Sequence, residues 1–117
     1  MLFDSHTHLE SPRFDKDRED VIARALKAGV TRMVTCGSDL ATSQACVDLA
    51  QAHEGVYAAV GIHPHEARSA LADGDTSGSE AIDERAFQRL ETLADSEHVV
   101  AIGELGLDYH YDFSPRP

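Results

Sequence analysis

The chain has 117 residues, 42% of them hydrophobic, which suits one globular domain with a real core and excludes two. No apolar run approaches the roughly 20 residues that span a bilayer, and the N-terminus lacks the basic and apolar regions of a secretory signal. The formal net charge of −11 opposes nonspecific affinity for nucleic acid or anionic membrane. A phosphate substrate stays open, because bound divalent cations invert the local field whatever the overall charge.

Leu2 to Ser5 reads as a short first strand. Residues 17 to 28 read as a helix, with Val21, Ile22, Ala25 and Leu26 on one face, Asp17 as N-cap and Gly29 closing it at C′. Val30 to Cys36 is a second strand, suited by Met33, Val34 and the β-branched Thr31 and Thr35. Ser38 or Asp39 caps a second helix that ends near His53, where Glu54 and Gly55 break it. Val56 to Gly61 is a third strand, nearly all apolar, as expected when both faces are covered. Arg68 to Glu80 is rich in Ala, Gly, Asp, Ser and Thr and has no apolar periodicity. It reads as a mobile surface loop at the rim of the site, or as a tolerated insertion. Asp83 to Ala94 forms a third helix with Phe87, Leu90, Leu93 and Ala94 inward, and Val99 to Gly103 a fourth strand. This alternation predicts an α/β fold of parallel βα units with right-handed crossovers. The two cysteines, Cys36 and Cys46, have no metal-knuckle spacing. They read as reduced, buried thiols of a cytoplasmic protein, without the helix N-terminus and basic neighbour that make a thiol reactive.

The chemistry starts at Asp4-Ser5-His6-Thr7-His8. Side chains two apart on a strand share a face, so His6 and His8 converge on one point. Two such imidazoles make half of a divalent-metal site at the C-terminal mouth of a parallel sheet, where α/β enzymes place their chemistry. The alternative is a pair of surface or satisfied core histidines. Asp4, on the same face as His6, either orients a ligand from behind or ends the strand.

His63 and His65 follow the third strand in Gly61-Ile62-His63-Pro64-His65. Pro64 biases His63 towards extended geometry and so sets the ring's direction, ready to donate to a phosphate oxygen or to act as an acid or base. The alternative is a turn with two exposed histidines, and His65 is expected to be the more exposed. Glu104 ends the fourth strand. A carboxylate after four apolar or small residues needs a partner, because an unpaired buried charge is costly. Facing His6 and His8, it completes a His, His, Glu set, or bridges two cations about 3.5–4 Å apart. The glycines around it allow close backbone approach and a sharp exit. The alternative is a solvated glutamate at a strand end. Asp108 and Tyr109 contact substrate, hold the site or pack the loop. His53, His98 and His110 have no comparable context and stay outside the site.

Together the stretches Phe3 to Leu9, Val60 to Glu66 and Ala101 to Tyr109 resemble the TatD family of metal-dependent hydrolases. The resemblance runs from the first residues to about Phe113. It implies a (β/α)8 TIM-type barrel that binds one or two divalent ions (Mg, Mn or Zn). It further implies hydrolysis of DNA phosphodiester bonds, on single strands or from 3′ ends, by a water that two metals activate. By the same resemblance His6, His8 and Glu104 are metal ligands, and His63 is a catalytic residue at the substrate site. His65, Asp108 and Tyr109 join His63 as candidate substrate contacts. Family members are longer, and two further metal-binding histidines and an aspartate come from the second half of their barrel. Four strands cannot close such a barrel, and an open half exposes apolar edges and faces. The expected fold is therefore the N-terminal half of the barrel, about four parallel βα units forming one partial domain over residues 1–117, inactive alone. Two other readings stand beside a TatD-like deoxyribonuclease. One is a non-catalytic fragment that folds or works only with a partner chain, including a dimerised half-barrel. The other is an amidohydrolase-like enzyme acting on an ester or amide. No membrane partner is expected, and the sequence leaves the oligomeric state open.

Overall fold

Four strands lie side by side in chain order: β1 (Leu2–Thr7), β2 (Val30–Cys36), β3 (Val56–Val60) and β4 (Val99–Ile102). Every neighbouring pair is parallel. The structure is a computed structural model and describes residues 1–71 and 82–113. Between the strands run α1 (Arg18–Lys27), α2 (Leu40–Ala52) and α3 (Glu84–Ala94). Each helix carries the chain back to start the next strand, the expected βα arrangement. No helix among the described residues is long and apolar enough to cross a membrane.

The main core lies between the sheet and the helices. Met33, Val56, Ala58 and Val60 from the strands meet Ile22 of α1 and Cys46, Val47 and Ala50 of α2, all buried. Leu90, Leu93 and Ala94 of α3 close the cluster at its edge. The other sheet face holds a smaller cluster of Val34, Cys36 and Ala59, as alternating strand side chains require. The outer strands are uncovered: Phe3 of β1 is 60% exposed and Ile102 of β4 is 56% exposed. The open edges expected of four unclosed strands are thus present.

Local chemistry sets most boundaries. Asp39 caps α2 in a reciprocal box, its carboxylate accepting from Thr42 N at 2.8 Å while Thr42 Oγ1 accepts from Asp39 N at 2.9 Å. Asp39 therefore takes the role left open between it and Ser38. Gly29 has φ +92°, the left-handed conformation expected where α1 ends. Phe87 of α3, expected to face inward, is 50% exposed. Three further details differ from expectation. β1 runs to Thr7, because Thr7 Oγ1 donates to Val34 O at 2.9 Å and extends the pairing with β2. Asp17 occupies the N-cap position of α1 without a capping bond, and its carboxylate lies 3.7 Å from the Arg24 guanidinium. Arg68 to Ala70, expected in a loop, close a 3-10 helix over Pro64–Ala70, which Pro64 starts with its fixed φ. Residues 72–80 of that expected loop lie outside the described residues.

Gly61 controls the route of the chain beyond β4. A Cβ there would stand 2.6 Å from the carbonyl carbon of Gly103 and 2.8 Å from Glu104 O. Ser43 of α2, fully buried, holds the same glycine from behind: it accepts from Gly61 N at 3.1 Å and donates to Gly61 O at 3.2 Å. Close approach was expected at the glycines around Glu104: Gly106 has φ +148° and a Cβ there would stand 3.4 Å from Pro64 Cγ, whereas a Cβ on Gly103 would meet nothing within 4 Å. The crowding sits on the opposing strand. Gly61→Ala is expected to lower stability by about 1–3 kcal/mol, the usual range for overpacking, read as a lower urea midpoint. An unchanged midpoint would show that the backbone after β4 does not need this contact.

Candidate metal centre

The mouth of the sheet is assembled from the two outer strands. Thr7, between the two histidines, stands opposite Thr35 in the β1–β2 pairing, which fixes where His6 and His8 emerge. Their rings stand 5.3 Å apart, inclined at 64°. Past β4 the chain turns inward. Gly103 N donates to Val60 O at 2.9 Å, and Glu104 N donates to Gly37 O, beyond β2, at 3.3 Å. A cis peptide joins Gly103 to Glu104. The two backbone hydrogen bonds carry the carboxylate over the ends of β3 and β2 to the histidines of β1.

Glu104 Oε2 lies 3.3 Å from His6 Nε2 and 3.6 Å from His8 Nε2. One ligand atom from each of the three residues falls within 4.8 Å of the others. Imidazole nitrogen and carboxylate oxygen are donors that zinc and manganese accept, and oxygen also suits magnesium. The donor set therefore fits a divalent cation. The side chains of His6 and His8 are about half exposed and that of Glu104 is 30% exposed, so an ion has an open path in.

His63 stands on the far side of Glu104, its Nε2 3.9 Å from Glu104 Oε1. Its Nδ1 accepts from His65 N at 3.1 Å. A neutral ring that accepts at Nδ1 carries its hydrogen on Nε2, so His63 offers a donor to the mouth. His65 is better fixed than expected. Its Nε2 is 2.8 Å from Asp108 Oδ2, and its ring packs edge-on against Tyr111 at 5.4 Å and Phe113 at 5.0 Å. Asp108 Oδ2 has no hydrogen-bond partner among the described residues, so the approach to His65 is a close contact of ring and carboxylate. Asp108 Oδ1 accepts from His110 N at 2.7 Å and Tyr111 N at 3.1 Å and so shapes the turn after Glu104. Tyr109 points outward, 65% exposed. The excluded histidines lie elsewhere: His53 pairs with Glu19 at 3.3 Å, His98 with Glu97 at 3.4 Å, and His110 packs on Tyr111.

Two residues of the site gave no sequence signal that was used. Glu10 Oε1 lies 3.2 Å from His8 Nδ1, and Thr35 Oγ1 donates to Glu10 Oε2 at 2.7 Å. The hint was an acidic residue two places beyond a candidate ligand histidine. Asp4, considered for orienting a ligand, instead accepts from the backbone N of His6 at 3.3 Å, and the strand continues past it. Both cysteines are free and buried as expected. Burial, then the nearby Glu104 carboxylate, raises the Cys36 thiol, and burial pushes Cys46 up to about 12. Neither is a thiolate nucleophile at neutral pH.

The two backbone N–H groups, foremost that of His110, hold the Asp108 carboxyl below its ordinary value of 3.8. A depressed folded value means the turn's extra stability is complete above the unfolded value and drains as pH falls through the folded one. Carbonyl-carbon NMR of Asp108 is expected to titrate below pH 3.8. A midpoint at or above that value would deny the two bonds in solution.

The family model described as TatD related DNase matches residues 3–117. The "Uncharacterized metal-dependent hydrolase YabD" of Bacillus subtilis is 38% identical over 116 residues, 99% of this chain and 41% of the relative. The "3'-5' ssDNA/RNA exonuclease TatD" of Cronobacter sakazakii is 40% identical over 113 residues, 97% of this chain and 38% of the relative. The crystal structure of YJJV, a TatD homolog from Escherichia coli, superposes with a TM-score of 0.74 at 27% identity. That match covers 95% of this chain and 39% of the other. The chain thus spans about two-fifths of the length of these relatives. With four parallel strands and three intervening helices in chain order and a family match across nearly all its residues, the chain belongs to the TatD-related DNase family and carries the N-terminal half of its barrel.

Proposed function

We propose that this chain supplies one wall of the active site of a metal-dependent hydrolase acting on DNA phosphodiester bonds. The observation that carries the reading is the convergence of His6, His8 and Glu104 from opposite edges of the sheet. His6, His8 and Glu104 would hold one or two divalent cations, Mg, Mn or Zn. A divalent cation bound there would lower the pKa of a water and stabilise charge on phosphate oxygens. His63, with its ring hydrogen turned to the mouth, donates to a phosphate oxygen and is the catalytic residue of this set. His65, Asp108 and Tyr109 form the rim along which a strand would lie. The relative described as a 3'-5' ssDNA/RNA exonuclease supports single strands or 3′ ends as the substrate. Two buried free thiols support a cytoplasmic setting.

Residues 1–117 form a single partial domain in this reading, with the remaining ligands supplied by the rest of a barrel. The fragment alone would then be inactive. His6→Ala and Glu104→Ala are expected to weaken Mn²⁺ or Zn²⁺ binding by the 117-residue chain at least about tenfold in calorimetric titration, as loss of a ligand should. In the intact enzyme the same changes are expected to abolish metal-dependent cleavage of 3′-labelled single-stranded DNA. Full activity in both variants would refute the assignment. Cleavage of simple esters in preference to DNA would move the substrate to the amidohydrolase-like alternative.

A second reading draws on the uncovered strands. Leu2, Phe3, Val100 and Ile102 are all more than half exposed on β1 and β4. Long apolar edges seek partners, so the chain would fold or work only against another polypeptide. Size-exclusion chromatography with circular dichroism is expected to give an associated or incompletely folded chain. A compact monomer with metal-dependent activity would eliminate this reading.

A further inference from the structure

Glu10 lies in the loop between β1 and α1, its side chain only 5% exposed. A carboxylate so enclosed is costly unless its oxygens are satisfied. Both have partners: His8 Nδ1 at 3.2 Å from Oε1 and the Thr35 hydroxyl at 2.7 Å from Oε2. The loop itself is pinned by Arg18 of α1, whose guanidinium donates to the carbonyls of Leu9 at 2.7 Å, Glu10 at 3.3 Å and Ser11 at 3.1 Å.

The direction of each hydrogen follows from counting. Thr35 is fully buried, and its hydroxyl has one hydrogen and two lone pairs. Leu9 N donates to it at 3.1 Å and the Cys46 thiol at 3.6 Å, which fills both lone pairs. Burial keeps the Cys46 hydrogen in place at neutral pH. The one Thr35 hydrogen must therefore point at Glu10. An ionised Glu10 only accepts, so the hydrogen between it and His8 belongs to Nδ1. A neutral His8 then presents a bare Nε2 towards Glu104 Oε2, 3.6 Å away. Two acceptors face each other across that gap, an arrangement that favours a cation between them.

We infer that Glu10, oriented by Thr35, is the positioning residue of His8, fixing the ring's angle and the tautomer that leaves Nε2 free for the metal. The role rests on the metal reading of His6, His8 and Glu104. Thr35 is a core residue of β2, fully buried and in contact with Cys46 of α2, so the relay couples the buried face of the sheet to His8. It also explains why a charged side chain is enclosed beside an otherwise open mouth. Glutamine at position 10 is a poor substitute. Its amide has one acceptor and one donor end, so either His8 Nδ1–H or the Thr35 hydroxyl meets a donor.

The test is Zn²⁺ affinity of the 117-residue chain by calorimetric titration, with circular dichroism as a control on folding. Glu10→Ala and Glu10→Gln are expected to weaken binding on the order of ten- to a hundredfold, as loss of such a partner does elsewhere. Thr35→Val is expected to weaken it in the same direction, and Thr35→Ser, which keeps the hydroxyl, to restore it. Ring-nitrogen NMR of His8 in the Zn²⁺-loaded chain supplies a readout that a purely structural role would not move. The hydrogen is expected on Nδ1, slow to exchange in the parent chain and fast in Glu10→Gln. Affinity within about twofold of the parent for both Glu10 variants, or a hydrogen on Nε2, overturns the inference. If His6→Ala also leaves Zn²⁺ affinity unchanged, the metal reading itself has failed. If His6→Ala weakens binding while the Glu10 variants do not, only the positioning role has failed.

Discussion

The site depends on one close contact between backbones, at Gly61. β1 and β4 are the outer strands of the sheet, and at about 4.8 Å per strand their ends would stand roughly 14 Å apart if the sheet were flat. Yet Glu104 Oε2 is 3.3 Å from His6 Nε2. The gap closes because the chain leaving β4 crosses over the end of β3 at Gly61 and bonds to Gly37 beyond β2. Any side chain at position 61 would lift that crossing strand. Ser43, by holding both polar groups of Gly61, links the same point to α2. The metal set is therefore a consequence of how tightly two backbones can approach.

Around that crossing the mouth divides its work by element. β1 offers two half-exposed imidazoles, suited to exchange of ions with solvent. The segment after β4 brings the negative charge, and the segment after β3 brings His63 with its hydrogen directed inward. Charge of one sign dominates the chain as a whole, with a net −11. A phosphate substrate approaching such a surface needs positive charge at the point of contact. In the proposed reading, cations held by His6, His8 and Glu104 would supply it. The turn built by Asp108, with His65 and the aromatic rings of Tyr111 and Phe113 packed beside it, gives the rim a definite shape on the His63 side.

The open edges belong to the same architecture. The chain carries the mouth of its sheet and its uncovered edges on the same strands, because the mouth lies at the ends of β1 and β4. Leu2 and Phe3 on one side and Val100 and Ile102 on the other expose apolar surface that a closed barrel would cover.

Much of this was legible in the residues. Strands β2 and β3 and helices α2 and α3 followed from apolar pattern, β-branched content and caps, because these are local preferences that packing reinforced. His6 and His8 were recognisable from the period of a strand, and Glu104 from a charge set after an apolar run. Their meeting was an expectation from their places at strand ends, reinforced by resemblance to a family, and spacing alone could not supply its geometry. The crossing at Gly61 was missed, since the glycines beside Glu104 looked like the permissive ones. Glu10 and Thr35 were missed for a similar reason. Thr35 read as a β-branched strand former and Glu10 as one more acid in an acidic chain, and nothing local joins residues 25 apart. The sequence by itself determined which elements form and which side chains bear chemistry, because those depend on neighbours within a turn or a strand. Only the tertiary structure decided which ligand meets which, because that rests on register, backbone approach and the hydrogen-bond count of one buried hydroxyl.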